Sequence, residues 1–577
     1  MGHPLKCFFT VLLSVLISCS LDAQVPTQAA PQIKVETRMV LVDVVVTDRK
    51  GEKIPGLHQE DFRIKEDGKM QAISSFEEHK PDSSSPVELP VLPPNVYTNR
   101  QSIKPNDSVN VLLIDLLNTY PWFQKAVCEQ AIKFLATMPT GTRLAIFTFN
   151  EHQLRLVQGF TTDFARLSVA LNGQKTGIVP EASWLNPTPK AHESEMAGLN
   201  AMIMMQAAPV AVGAVSQYLD QEKAFQVGGR NELTLQAFQH LARYLSGIPA
   251  RKNVVWFADS FPISFAPDSK VHTPNHQAHV QQTSDMLTAA QVAIYPVSAR
   301  GIIGDPSWDI AFDTAQELFL EYATSQINME DIARETGGRA FYNTNGIDQA
   351  MATAISEGSH YYTLAYAPSN DRNDGKYRRI EVKLPENTYK LSYRRGYYAD
   401  RPSGQEAHKA QSGTERGGGE DPLMPFVGFG MPNFDQLTYQ IETKLVDPQP
   451  ALGAQRAGTN TELPDPVIRY TADLSVSLQN FALTKSDDGT KRGRLEAMLV
   501  AYDRSGKIVN IAKRTNGFAV TTQGETTAQD TGLPIHLEID VPVGDIYLRT
   551  GIYDLNSGNV GTLGFALQPS ATPTDRK

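Results

Sequence analysis

Val109-Asn110-Val111-Leu112-Leu113-Ile114-Asp115-Leu116-Leu117-Asn118-Thr119 is an apolar run that ends in an acid, an amide and a hydroxyl. A run this apolar reads as a strand buried on both faces, as in the middle of a parallel sheet. Asp115 then falls where the strand emerges, at the carboxyl edge where open α/β sheets place their ligands. Asn253-Val254-Val255-Trp256-Phe257-Ala258-Asp259, followed by Ser260, repeats the arrangement. Two acids at the ends of two buried strands, each with oxygen-bearing neighbours, point to a hard cation held by oxygen ligands.

Outward from this strand, residues 108–400 alternate between strand and helix patterns, which predicts an α/β, doubly wound sheet with helices on both faces. Strands are predicted near 109–115, 143–149, 154–159, 253–258, 292–297 and 339–342. Helices are predicted near 120–137, 162–172, 231–246, 277–290, 308–336 and 346–357, and strands at 360–367, 377–384 and 389–397 close the region. Thr336-Gly337-Gly338 suits a helix C-terminus. Residues 174–230 interrupt the alternation and include Ala201-Met202-Ile203-Met204-Met205. This insertion reads either as a recognition element or as a helical flap that buries its own methionines.

Three further segments are set off by composition. Residues 32–80 predict an N-terminal β domain, with Val40 to Thr47 as a strand from which Asp43 faces outward. Residues 81–107, rich in Pro and Ser, and 401–435, rich in Gly and charge, predict linkers. Residues 436–570 carry short alternating strands separated by turns such as Asp503-Arg504-Ser505-Gly506, which predicts a C-terminal β-sandwich with a mobile loop from Ala451 to Pro464.

A chain of 577 residues is too long for one core, in keeping with this division. A formal net charge of -10 and the lack of a long Lys/Arg block give no support to nucleic-acid binding. Lys6 followed by the apolar run Cys7 to Ser18 predicts a signal peptide over residues 1–23 and hence export to the periplasm, outer envelope or exterior. Two exits compete: cleavage after Ala23, leaving Gln24 first, or lipidation at Cys19, which would supply the sole membrane attachment. Either exit leaves no intramolecular disulfide from the 3 cysteines, and Cys128 reads as a buried, inert thiol.

Taken in order, several segments resemble the von Willebrand factor A-related proteins exported by environmental bacteria, the acidobacterial type especially. They are Val44-Val45-Val46-Thr47-Asp48 with Gly51, Gly56-Leu57, Asp61-Phe62, Glu66-Asp67-Gly68, Asp115 to Thr119, Arg251 to Phe257, Thr336-Gly337-Gly338, Tyr361 to Tyr366 and Arg395-Gly396-Tyr397-Tyr398. The resemblance implies a von Willebrand A-like central domain with a metal-ion-dependent adhesion site. That site combines an Asp-x-Ser-x-Ser turn, a distant Thr and a second Asp. Asp115 and Thr119 match the first acid and last hydroxyl, Asp259 matches the second acid, and Leu117 replaces the first Ser. Asn231 stands at the distant position, with Thr234 nearby.

The expected metal ligands are therefore Asp115, Thr119, Asn231 and Asp259, holding Mg²⁺ or Mn²⁺ in a degenerate site. The alternative makes Asn118 or Thr119 a cap for the following helix and leaves the site vestigial. His272, His276 and His279 form the one histidine cluster, but they lack a zinc-protease pattern and read as solvated helix-start residues. No phosphate loop, nucleophile elbow or Cys-x-x-Cys motif is present, so no catalytic residue is assigned. The reading is an exported, non-enzymatic binding or adhesion protein with a protein partner. Its rivals are a metal-dependent hydrolase using the same acids and an envelope scaffold with an inert site.

Overall fold

The computed structural model describes residues 39–80, 92–100, 108–119, 121–138, 141–151, 154–171, 201, 205, 209–248, 250–266, 274–298, 312–342, 347–385, 388–399, 421–446, 450–451, 453–486, 490–520 and 532–567. The expected signal-peptide segment with Cys19, most of both expected linkers and His272 lie outside these residues. In chain order the first strands are β1 (Val40–Thr47), β2 (Arg63–Glu66), β3 (Lys69–Gln71), β4 (Ile73–His79) and β5 (Val96–Thr98). The central region then runs β6 (Val109–Asp115), α1 (Pro121–Thr137), β7 (Leu144–Phe149), β8 (Leu154–Thr161), α2 (Phe164–Leu171) and α3 (Pro209–Ser246). It continues with β9 (Lys252–Ala258), α4 (Pro274–Ala289), β10 (Val292–Ser298), α5 (Phe312–Thr336) and α6 (Ile347–Gly358).

The central sheet has the order β10-β9-β6-β7-β8, parallel except for β8. Two separate apolar clusters flank it, as a sheet buried on both faces requires. Val109, Val111 and Leu113 of β6 pack with Leu235, Phe238, Leu241 and Leu245 of α3, with Val280 and Leu287 of α4, and with Met329 and Ile332 of α5. Leu112 and Ile114 point the other way, to Phe134 and Leu135 of α1, Leu167 of α2 and Met351 and Ile355 of α6. The period-2 alternation of a strand produces this division directly. Each fully buried Leu, Ile or Phe contributes roughly 1.5–3 kcal/mol relative to exposure.

The expected elements of this region form, with two differences. α3 begins at Pro209, well before the predicted 231, so part of the expected insertion is continuous helix. The predicted strand at 339–342 is reduced to a single bridge between Phe341 and Val297. At the end of α5, Gly337 has φ +80 and the Gly338 N–H donates to Ala333 O at 2.8 Å. Glycine takes that left-handed turn without a Cβ penalty.

The strands after the central region are β11 (Tyr361–Tyr366), β12 (Tyr377–Lys383), β13 (Lys390–Ser392) and β14 (Gly396–Tyr398). They do not close the central sheet, as their position in the chain suggested. β11 lies between β1 and β4, β13 pairs β1, and β12 lies between β2 and β14. The two sheets share a core of Val42, Val44, Phe62, Ile64, Tyr362, Tyr366 and Val382. The N-terminal module is therefore discontinuous, and the central domain is an insertion within it. Asp43 does not face solvent. It accepts from Thr363 Oγ1 at 2.8 Å and pairs with Arg251 at 3.7 Å, its side chain 8% exposed.

The C-terminal strands are β15 (Tyr439–Leu445), β16 (Val467–Val476), β17 (Thr484–Lys485), β18 (Lys491–Tyr502), β19 (Ile508–Val520), β20 (Leu533–Pro542), β21 (Tyr547–Asp554) and β22 (Val560–Ala566). Sheets β20-β16-β15-β5 and β17-β18-β21-β22, the latter with β19 on β18, enclose a common core. Both expected linkers contribute structure. Residues 96–98 supply the edge strand β5, and Asn99 donates to Phe434 O and Leu437 O at 2.7 and 2.8 Å. Residues 421–435 form a strap whose Leu423, Phe426, Val427, Met431 and Phe434 join the α3-side core. The buried Arg549 holds the strap through Asn433 Oδ1 (2.6 Å) and Pro432 O (2.9 Å). The loop read as mobile is tied down in its later part: the Thr459 N–H donates to Ile511 O at 2.7 Å and the Asn460 N–H to Asn510 Oδ1 at 2.9 Å.

Candidate functional site at the carboxyl edge

From β6 the chain turns toward β7 on one side, and β9, its other neighbour, leads on to β10. The carboxyl ends of β6 and β9 therefore flank the topological switch point, where open α/β sheets form a crevice. Asp115, Asn118 and Thr119 follow β6, and Asp259 and Ser260 follow β9. The two turns are joined: the Ser260 N–H donates to Asn118 O at 2.9 Å and the Asp259 N–H to Thr119 Oγ1 at 3.3 Å. The sequence-derived Asp115, Thr119 and Asp259 are thus brought together.

Strand alternation fixes where the Asp115 side chain goes. Two residues beyond Leu113, it emerges on the α3 side and is fully buried. Its Oδ1 accepts from the Asn118 backbone N–H (2.7 Å), and its Oδ2 accepts from Asn118 Nδ2 (2.7 Å) and the Trp256 indole N–H (2.9 Å). Burial pushes its pKa up to about 7, against the opposing pull of those donors. Trp256 stands in register with Leu113 on β9 and packs edge-on against Phe238 and Phe261.

Thr234, rather than Asn231, is the distant hydroxyl that reaches this cluster. Its Oγ1 accepts from Asn118 Nδ2 at 2.9 Å and donates to Arg230 O at 2.6 Å. Asn231 lies one helical turn away, and its amide, oriented as hydrogen bonding demands, donates to Val227 O and Pro262 O at 3.2 Å each. Position 231 faces the β9 turn instead of Asp115. Thr119 Oγ1 accepts from the Asp259 backbone N–H. The participants that sequence reading did not place are Trp256 and the Asn118 amide. A buried indole N–H needs an acceptor, and Asp115 on the neighbouring strand is within reach, which is the signal that could have named Trp256.

Mg²⁺ requires near-octahedral oxygen ligation at about 2.0–2.1 Å. Here both carboxylate oxygens of Asp115 already accept N–H bonds, and Leu117 is buried in the core at the position of a lost hydroxyl ligand. The Asn118 NH₂ bridges Asp115 Oδ2 and Thr234 Oγ1. The buried Asn118 Oδ1 lacks a hydrogen-bond partner, yet one neutral carbonyl oxygen is a poor anchor for a divalent ion. As arranged, these residues do not fit the cation.

Elsewhere among the described residues, His279 pairs with Glu232 at 2.9 Å on an exposed helix surface. Cys128 is partly buried and its thiol is pushed up to about 11 by burial, which suppresses the thiolate. No group of three or more His, Cys, Asp or Glu suited to a metal is found among the described residues, and no described helix is long and apolar enough to cross a membrane.

No protein-family model matches the chain, and no curated protein matches it. Among solved structures it is similar to the SpRpn10 VWA domain (10% identity, TM-score 0.17, 42% of this chain and 94% of that one). It is also similar to a von Willebrand factor type A protein from Catenulispora acidiphila (11%, TM-score 0.19, 62% and 80%). A third likeness is the pilus adhesin SpaC from Lactobacillus rhamnosus GG (8%, TM-score 0.24, 85% and 57%). At these TM-scores the likenesses carry no argument about fold or function.

Proposed function

We propose that the chain is an exported, non-enzymatic binding protein whose von Willebrand A-like central domain docks a protein partner at the carboxyl edge of its sheet. The observation that supports this is the course of α3. Thr234 meets the β6 turn at the carboxyl edge, and the helix then descends to the start of β9 at the amino edge. The residues from Pro209 to Arg230 consequently run beyond the carboxyl edge for roughly 30 Å at 1.5 Å per residue. On this projection Val210, Tyr218 and Phe225 are 84%, 64% and 65% exposed. Their spacing of 8 and 7 residues places them along one helix face. α5, whose Ser325 and Asn328 bond the backbone of Phe261 beside the switch point, exposes Leu320 and Ile327, also seven apart. Aromatic and apolar side chains held on rigid helices are the usual anchors of protein interfaces.

The hydrolase alternative requires a carboxylate able to take a proton from water. Asp115 is buried beneath α3 with N–H donors on both oxygens, which favours a structural role. The same burial is what favours the scaffold reading, in which the edge binds nothing. Crosslinking in the native envelope separates the two. Tyr218→Glu with Phe225→Glu is expected to abolish a discrete crosslinked partner while leaving the melting temperature unchanged. Recovery of the same partner by the double variant would refute docking at this edge.

A further inference from the structure

We infer that the side-chain amide of Asn118 occupies the place a divalent cation would take at this switch point, so that the carboxyl edge is held together without metal. The Nδ2 group lies 2.7 Å from Asp115 Oδ2 and 2.9 Å from Thr234 Oγ1, linking the acid at the end of β6 to the hydroxyl on α3. A bridging ion would make that same link. The two amide hydrogens carry partial positive charge to both oxygens, and the Trp256 indole N–H adds a third donor at 2.9 Å. The backbone N–H of Asn118 takes one lone pair of the other carboxylate oxygen at 2.7 Å. An N–H and a cation cannot share one lone pair, and two donors take both lone pairs of Oδ2, so a cation could bridge Oδ2 and Thr234 only if the Asn118 amide let go. Leu117, 1% exposed within the α3-side core, supplies no oxygen where a hydroxyl would help, so the Asn118 amide is the group that decides.

The consequence for binding is specific. A partner at this edge need not contribute an acidic side chain to complete a coordination shell, and contact survives chelation. The inference concerns the same edge as the proposed docking but stands on the β6–α3 geometry alone. Mn²⁺ measurements on the isolated protein test it, whereas partner crosslinking tests docking.

The experiment is Mn²⁺ titration of the full chain, followed by electron paramagnetic resonance and by melting temperature against EDTA. The wild type is expected to show no Mn²⁺ binding that depends on Asp115 and no Mn²⁺-dependent shift. Asn118→Asp replaces the bridging amide by a second carboxylate beside Asp115 and is expected to acquire stoichiometric Mn²⁺ binding with a rise in melting temperature. Should that variant fold poorly without metal, refolding yield with Mn²⁺ against EDTA reads the same gain. Stoichiometric wild-type binding that Asp115→Ala abolishes would overturn the inference, as would an Asn118→Asp chain that folds but gains no Mn²⁺.

Discussion

Asp435 offers the sharpest quantitative test of how the modules are joined. It ends the strap, is 8% exposed, and its Oδ1 is buried without a hydrogen-bond partner. Burial pushes its pKa from an ordinary 3.8 up to about 7, although the nearby Lys252 charge pulls it down. A carboxyl whose folded pKa is raised holds its proton in the folded state across a window in which the unfolded chain has released it. Wild-type stability therefore falls as pH rises from about 4 to about 7, and is flat above. A shift of about three units at 1.36 kcal/mol each bounds the effect near 4 kcal/mol. Asp435→Asn keeps the shape and removes the charge. It should be close to wild type near pH 4 and more stable by about 2–4 kcal/mol above pH 7.5. Urea unfolding of both proteins from pH 4 to 8.5 measures the difference, and taking it between isosteres cancels other titrating groups. If the two curves stay parallel over that range, Asp435 is not the buried ionisable group described here.

Further outcomes follow from neighbouring contacts. A Cβ at position 247 would stand 1.8 Å from Asp435 Oδ1, so Gly247→Ala should lower stability by about 1–3 kcal/mol, read from the urea midpoint, and Gly247→Ala with Asp435→Gly should recover most of it. Asn99→Ala removes two buried N–H donations and one acceptor at the β5–β15 junction and should cost about 1–3 kcal/mol, measured by thermal denaturation. Proteolytic nicking within 401–420 should leave the two fragments co-eluting on size exclusion, because β5 and the strap bind them together; separation without denaturant would contradict this packing. Mass spectrometry of the mature protein from its native envelope should find Gln24 or a lipidated Cys19 at the N-terminus, and an intact Met1 there would refute export by either route.

The central sheet was legible because its signals are local. β6, β7, β9 and β10 are apolar on both faces, and each is bounded by polar turns. Strand assignment after residue 360 was also right in kind, but partnership was not, since Tyr361–Tyr366 alternates equally well whether it pairs a central strand or β1. Pairing is a property of long-range contacts that periodicity does not encode. The linkers misled for a related reason. Pro- and Gly-rich composition marks the absence of internal repetition, yet Phe426, Met431 and Phe434 still carry enough apolar surface to bury against α3. At the site, the two strand-end turns that carry Asp115, Thr119 and Asp259 do meet. Spacing could not show that Asn118, a residue between the matched positions, turns its amide inward, or that position 234 rather than 231 completes the contact one helical turn on.

The central domain is attached to the flanking modules in part at its amino edge. At the amino edge, Arg251 precedes β9 and Lys252 opens it, and this short run meets both flanking modules. Arg251 pairs with Asp43 of β1, lies over the Tyr361 ring of β11 at 5.6 Å and donates to Gly337 O at 3.1 Å. Lys252 is 2% exposed. Burial lowers its pKa to about 8, and Asp43 and Asp435 act in the other direction to keep it charged. One cation thus lies within the field of an acid from the N-terminal module and an acid from the strap. A buried charge of this kind is costly to strand, so loss of Asp43, whose partner Arg251 is also buried, would loosen the junction rather than simply remove one pair. The amino-edge contacts, together with the strap packed on the α3 side, fix the orientation of the sheet, and the projecting half of α3 extends from that base.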